Sequence, residues 1–186
     1  MPLIKLNATQ GLTGTLPAVS GANLTNIDGG KILQVVSSEN TYGQSTTGTS
    51  ATDVLSASAT TWEPAITPTV STSKILVLAS INIFNSDNSS TTIQEQRFFL
   101  DCDVKIGSGS YNGFLNQSYL GQYYYGGASR PNPLDQSSYV TTSRQFDHDT
   151  TDEIKFRWQY GLHTSGVRVS MNGDSKRSTV TLMELA

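Results

Sequence analysis

Apolar and polar residues alternate at period two through much of the second half of this chain. Phe98, Leu100, Cys102, Val104 and Ile106 alternate with Phe99, Asp101, Asp103 and Lys105. Ile154, Phe156, Trp158, Tyr160 and Leu162 alternate with Lys155, Arg157, Gln159 and Gly161. Each run predicts a strand with one buried and one solvated face. The longest apolar run is Lys74 to Phe84, reading KILVLASINIF. Ile75, Val77, Ala79, Ile81 and Ile83 share one face of it. The other face begins with Leu76 and Leu78 and turns polar at Ser80 and Asn82. The run predicts a central strand, covered on both sides at its first end and on one side at its second. It is too short for a transmembrane helix, which needs about 20 apolar residues.

Shorter runs supply further strands: Lys31 to Ser37, Val54 to Ala59, Trp62 to Pro68, Tyr119 to Tyr125, Tyr139 to Phe146, Val167 to Met171 and Ser178 to Leu185. Pro64 and Pro68 confine the Trp62 run to a sheet edge. Glu39 to Ser50 reads as a loop or an irregular edge strand, and Gly107 to Asn116 and Gly126 to Gln136 read as loops. Asn85 to Ser90 reads as a turn that would join Lys74–Phe84 and Phe98–Ile106 in a long hairpin. Asn172-Gly173 carries a hairpin signal. No stretch has a helical period. The expected fold is all-β: an antiparallel β-sandwich, jelly-roll-like, over residues 32–186, preceded by an extended N-terminal arm over residues 1–31.

The arm carries only Lys5, Asp28 and Lys31 as charges, and glycine or proline interrupts every run. Its apolar residues Leu3, Ile4, Leu6, Leu12, Leu16, Leu24 and Ile27 return too irregularly for a helix face. Such a segment buries too little to fold alone. Extended, it would reach roughly 100 Å. It reads either as a flexible linker or, as its recurring Leu and Ile favour, as an anchor that docks on another protein or on copies of itself.

Composition narrows the function classes. The chain has 186 residues, with 24 Ser, 23 Thr and 16 Gly, a β-rich and hydroxyl-rich profile. Twelve Lys and Arg lie scattered in a chain of net charge −3, without the basic stripe that nucleic-acid binding needs. Cys102 is the single cysteine, so no intrachain disulfide can form. The first residues lack a continuous apolar core, so neither a signal peptide nor membrane insertion is expected.

Residues 11–35, GLTGTLPAVSGANLTNIDGGKILQV, resemble the linker that precedes C-terminal domains in structural proteins of tailed bacteriophages, particularly marine and cyanobacterial ones. There, GTLPA-type units and a G-x-x-L-T-x-[LI] unit lead into a strand beginning G-K-[IV]-L-Q-V. PTVSTSKILVLASINI is similar to a passage of the β-domain that follows. The resemblance implies a fibre-like or spike-like virion component, commonly a homotrimer, assembled in the host cytoplasm and aiding host attachment. It implies other virion proteins, of capsid or tail, as partners of residues 1–31. The absence of shaft repeats and coiled coil fits a short fibre, capsid spike or decoration subunit better than a whole tail fibre.

Candidate chemistry is sparse. There is no G-x-S-x-G, Walker loop or H-E-x-x-H, and neither an enzyme nor a cofactor is expected. His148 between Asp147 and Asp149, with His163, could bind a metal, but such a turn is more often a solvated loop, and no metal is expected. Asp101 and Asp103 share a strand face about 7 Å apart. That spacing suits a glycosidase pair, and equally a charged solvent face. Cys102, on the inward phase, should be a buried and unreactive thiol. Trp62 and Trp158 belong to the core. Tyr111, Phe114, Tyr119, Tyr123, Tyr124 and Tyr125, interleaved with Asn and Gln, could form a subunit interface, pack in the core, or bind a host surface glycan. The last is the alternative function: a lectin-like receptor-recognition module.

Overall fold

The computed structural model describes residues 31–86, 95–117, 122–124, 136–162 and 168–186. Among them run twelve strands: β1 (Ile32–Asn40), β2 (Gln44–Thr46), β3 (Thr52–Asp53), β4 (Ala65–Ile66), β5 (Lys74–Ser86), β6 (Glu95–Ile106), β7 (Asn112–Gln117), β8 (Gln122–Tyr124), β9 (Gln136–Asp147), β10 (Ile154–Leu162), β11 (Arg168–Met171) and β12 (Ser178–Leu185). The one helical turn described is a 3-10 turn, Gly173–Ser175.

Several short strands continue one another. β11 and β12 both lie antiparallel to β5, end to end. β1 and β2 follow them as the next line. β3 and β4 run along β10, and β7 and β8 along β6. The described strands therefore form eight lines. Numbered along the chain, line 1 pairs with 8 (β1 with β12), 2 with 7 (β3 and β4 with β10), 3 with 6 (β5 with β9) and 4 with 5 (β6 with β7 and β8). This nested pairing is a long antiparallel ribbon rolled around a core, the jelly roll. The first sheet runs β9, β5, then β11 and β12, then β1 and β2. The second runs β7 and β8, then β6, β10, then β3 and β4. All pairings are antiparallel, so the all-β sandwich expected from the alternation is the fold.

The inward faces are the apolar ones. Ile75, Val77, Ala79, Ile81 and Ile83 of β5 meet Phe98, Leu100, Cys102 and Val104 of β6 and Ile154, Phe156, Trp158, Tyr160 and Leu162 of β10 in one core. Trp62 joins it, and its indole N–H donates to Ser38 Oγ at 2.8 Å. Phe114, Phe146 and Phe156 bridge the two sheets edge to face, with centroids 5.3–5.9 Å apart.

Five local expectations need correction. Val54 to Ala59 is not a strand: beyond β3 the chain turns, with Ser56 N–H donating to the Thr60 carbonyl at 2.7 Å and Ala59 at φ 57°. β5 and β6 do not form a hairpin; they lie in different sheets, because each has one apolar face and the two faces cover each other across the core. Residues 107–116 are not all loop. β7 begins at Asn112, and a register shift opposite Cys102 and Asp103 lets the consecutive Phe114 and Leu115 both turn inward. Asn172-Gly173 does not reverse the chain. Asn172 adopts a left-handed conformation (φ 50°), and the 3-10 turn returns the chain to the same line along β5. Asn82 is buried, not at an open end of the sheet. Its backbone N–H donates to Ser178 Oγ at 2.9 Å, and Ser178 donates to Asn172 Oδ1 at 2.6 Å. These bonds stitch the break between β11 and β12, where backbone groups would otherwise be unpaired.

Candidate functional site

The alternation of β6 and β10 places charges on the outer face of the second sheet. The register sets Arg157 opposite Asp103, Gln159 opposite Asp101, and Lys155 opposite Lys105. Arg157 Nη2 donates to Asp103 Oδ2 at 2.6 Å, and its Nε lies 3.8 Å from Asp53 Oδ1. Gln159 donates to Asp53 at 2.7 Å. The like charges of Lys155 and Lys105 are relieved from the side, with Lys155 3.2 Å from Glu153 and 4.0 Å from Glu63.

Tyr111 is the keystone of this surface. The Arg157 guanidinium lies 4.1 Å and the Lys105 ammonium 4.6 Å from its ring centre, and its hydroxyl donates to Glu63. Burial and the bond to the Glu63 carboxylate push the phenol well above its ordinary range. Its ring and hydroxyl are thus committed to neighbours within the chain.

The geometry answers the sequence candidates one by one. Asp103 is ion-paired, so Asp101 and Asp103 do not present two unpaired carboxyls for acid–base work. Phe114 is 6% exposed and packs against Phe146 and Phe156, so it offers no surface for a glycan. Cys102 is fully buried; burial, then Asp103 and Asp101, raises its thiol well above the usual range. Tyr119, Tyr125, His163 and the arm residues Leu3, Ile4, Leu6, Leu12, Leu16, Leu24 and Ile27 lie outside the described residues, as do the side chains of Tyr123 and Tyr124. His148 faces inward to the chain: Nδ1 is 2.9 Å from the Thr150 carbonyl, and the ring stacks on Phe146. No group of three or more His, Cys, Asp or Glu among the described residues is placed to hold a metal.

One buried site was not anticipated. Glu184 on β12 is fully buried and accepts from Thr69 N at 2.8 Å, Val70 N at 3.0 Å, Ser73 Oγ at 2.7 Å and Gln34 Nε2 at 2.8 Å. Burial alone would raise its pKa. The bonds from Ser73, Val70, Gln34 and Thr69 more than reverse that and hold it at about 2. His148 Nε2 lies 3.3 Å from Ser73 Oγ. Serine, histidine and glutamate thus meet, but not as a nucleophile and its base. The carboxylate binds the serine, not the imidazole, and Ser73 is itself buried. The cluster fastens the crossover from β4 to β5 onto β1 and β12. The signal was in the sequence: along STVTLMEL, Glu184 falls on the inward phase with Ser178, Val180 and Leu182.

No family model matches the chain, and no curated protein matches it. Among solved structures, that of the infectious bursal disease virus Gx strain is similar at 8% identity and a TM-score of 0.38, covering 91% of this chain. This chain spans 44% of that chain's length. The jelly roll is established here by strand order alone.

Proposed function

We propose that this chain is a structural virion protein of a tailed phage: a short fibre, spike or decoration subunit. Residues 1–31 anchor it to the particle, and the jelly roll of residues 32–186 projects outward. The observation that carries this reading is the contrast between the two segments. The jelly roll closes its own core, whereas the sequence of the arm carries seven spaced Leu and Ile and three charges, too few apolar residues for a fold of its own. The resemblance of residues 11–35 to phage linkers supports the same reading. We take the assembly to be a homotrimer, because three arms together can cover apolar residues that one cannot. The described polar surface agrees with a structural role: Arg157 pairs with Asp103 and Asp53, and the donors around Glu184 bond to it, all within the chain. The lectin-like alternative loses Tyr111 and Phe114 to internal packing.

Deleting residues 2–28 should leave a folded domain that no longer joins particles. Incorporation into virions, followed by blotting of purified particles, reads the result. Normal incorporation of the shortened chain would defeat the anchor reading.

A further inference from the structure

The two outer faces of the sandwich differ in charge. The second sheet's face is crowded with Asp53, Asp103, Lys105, Lys155 and Arg157. On the first sheet, the ladder register lines up Val35, Met183, Leu76 and Gln145 in one row. Ser37, Thr181, Leu78 and Ser143 form the next row, with a bond of 3.2 Å between Ser37 and Thr181. Among the described side chains, charges stand at the margins: Lys74 with Asp147 at 3.6 Å, and Glu39 with Arg177 at 3.0 Å. Val35 is 52% exposed, as is Ile32 beside it.

We propose that this uncharged face of the first sheet is where copies of this chain pack against one another. The inference deepens the oligomer part of the proposed function and rests on it. A centre depleted of charge inside a rim of charged pairs has the composition of an interface core. Covering aliphatic and hydroxyl rows strips no charge of its water, whereas covering the opposite face would desolvate five charged groups. Size also fits. Four strand lines at about 4.8 Å spacing, with an eight-residue β12 at about 3.3 Å per residue, make a face, charged margins included, on the order of 500 Å². In a trimer each copy turns this face toward the threefold axis and the other two copies, so three faces together bury on the order of 1,500 Å², the scale of a specific interface. A second copy is the partner of matching chemistry. It brings the same uncharged rows, so neither side leaves a charge unpaired.

The test is the mass of the full-length chain by light scattering across a dilution series. Val35→Asp places a carboxylate at the β1 end of the aliphatic row, at a half-exposed position where folding tolerates it. It should weaken self-association at least tenfold with an unchanged circular dichroism spectrum. Thr181→Arg, in the neighbouring row, is the second variant and should do the same. Asn112→Asp, exposed on the second sheet, should keep the native mass. If both first-sheet variants keep the native mass at every dilution, the face is not the contact. The oligomer reading then survives with another occupant there, such as residues 1–30 of a neighbouring copy. A native chain that is a single copy at every concentration overturns the oligomer reading and this inference together.

Discussion

Glu184→Ala should lower the unfolding free energy by about 3–4 kcal/mol, the largest loss expected from any single polar residue described here. The substitution removes the acceptor of two backbone N–H groups, a serine hydroxyl and an amide in a place closed to water. It also frees the crossover that carries the chain from one sheet to the other. The effect depends on pH, and its sign follows from the depressed carboxyl. In the unfolded chain the group titrates near its ordinary 4.5; in the fold it titrates at about 2. The charged form is therefore the one the fold favours. Its contribution is fully present above pH 4.5 and is lost as pH falls toward 2. The difference corresponds to roughly 3 kcal/mol. Urea titrations of the native chain between pH 5 and pH 2 should show that decline. Glu184→Gln, which keeps the shape but not the charge, should flatten it. A variant with the native slope would show that the stability lost in acid comes from other carboxyls.

Phe156→Ala should cost about 3–5 kcal/mol, with a melting temperature on the order of 10 °C lower. Phe156 is fully buried and touches Phe114 within its own sheet and Phe146 across the core. Removing the ring opens a cavity between two sheets whose strands cannot close independently of their ladders. Phe156→Leu fills most of the space and should cost clearly less. Thermal unfolding followed by circular dichroism reads both. Equal losses would mean that the edge-to-face contacts, not the filled volume, hold the sheets at this point.

Much of the fold was legible because period-two alternation reports which way side chains face. Ile154–Leu162 and Phe98–Ile106 could be read directly, and with them the core positions of Trp158 and Cys102. Alternation does not report partners. β5 and β6, adjacent in sequence and both amphipathic, look like a hairpin, yet their apolar faces are better buried against each other than side by side. Local departures from period two hid the rest. The shift opposite Cys102 and Asp103 sends Phe114 and Leu115 inward together, so β7 reads as loop. Asn172 can hold a left-handed backbone in a hairpin turn or in a jog within a strand line, and only Ser178 and Asn82 decide between them.

The candidate site was legible in its residues but not in its bonds. Asp103, Lys105 and Arg157 were visible as a charged face, whereas the role of Tyr111 beneath Arg157 depends on a register between strands about 50 positions apart. Glu184 could have been found by asking why a carboxylate occupies an inward position. The uncharged rows of the first sheet were visible only as Leu76 and Leu78. Their continuation through Met183 and Val35 needed the ladder.

Where the chain resides tests its proposed virion role most directly. Purified phage particles carrying an epitope at residue 186 can be imaged with a gold-labelled antibody. Label is expected at a fixed position on the outside of the particle, and it should be lost when residues 2–28 are deleted. Particles without label, from cells that make the folded chain in quantity, would contradict it.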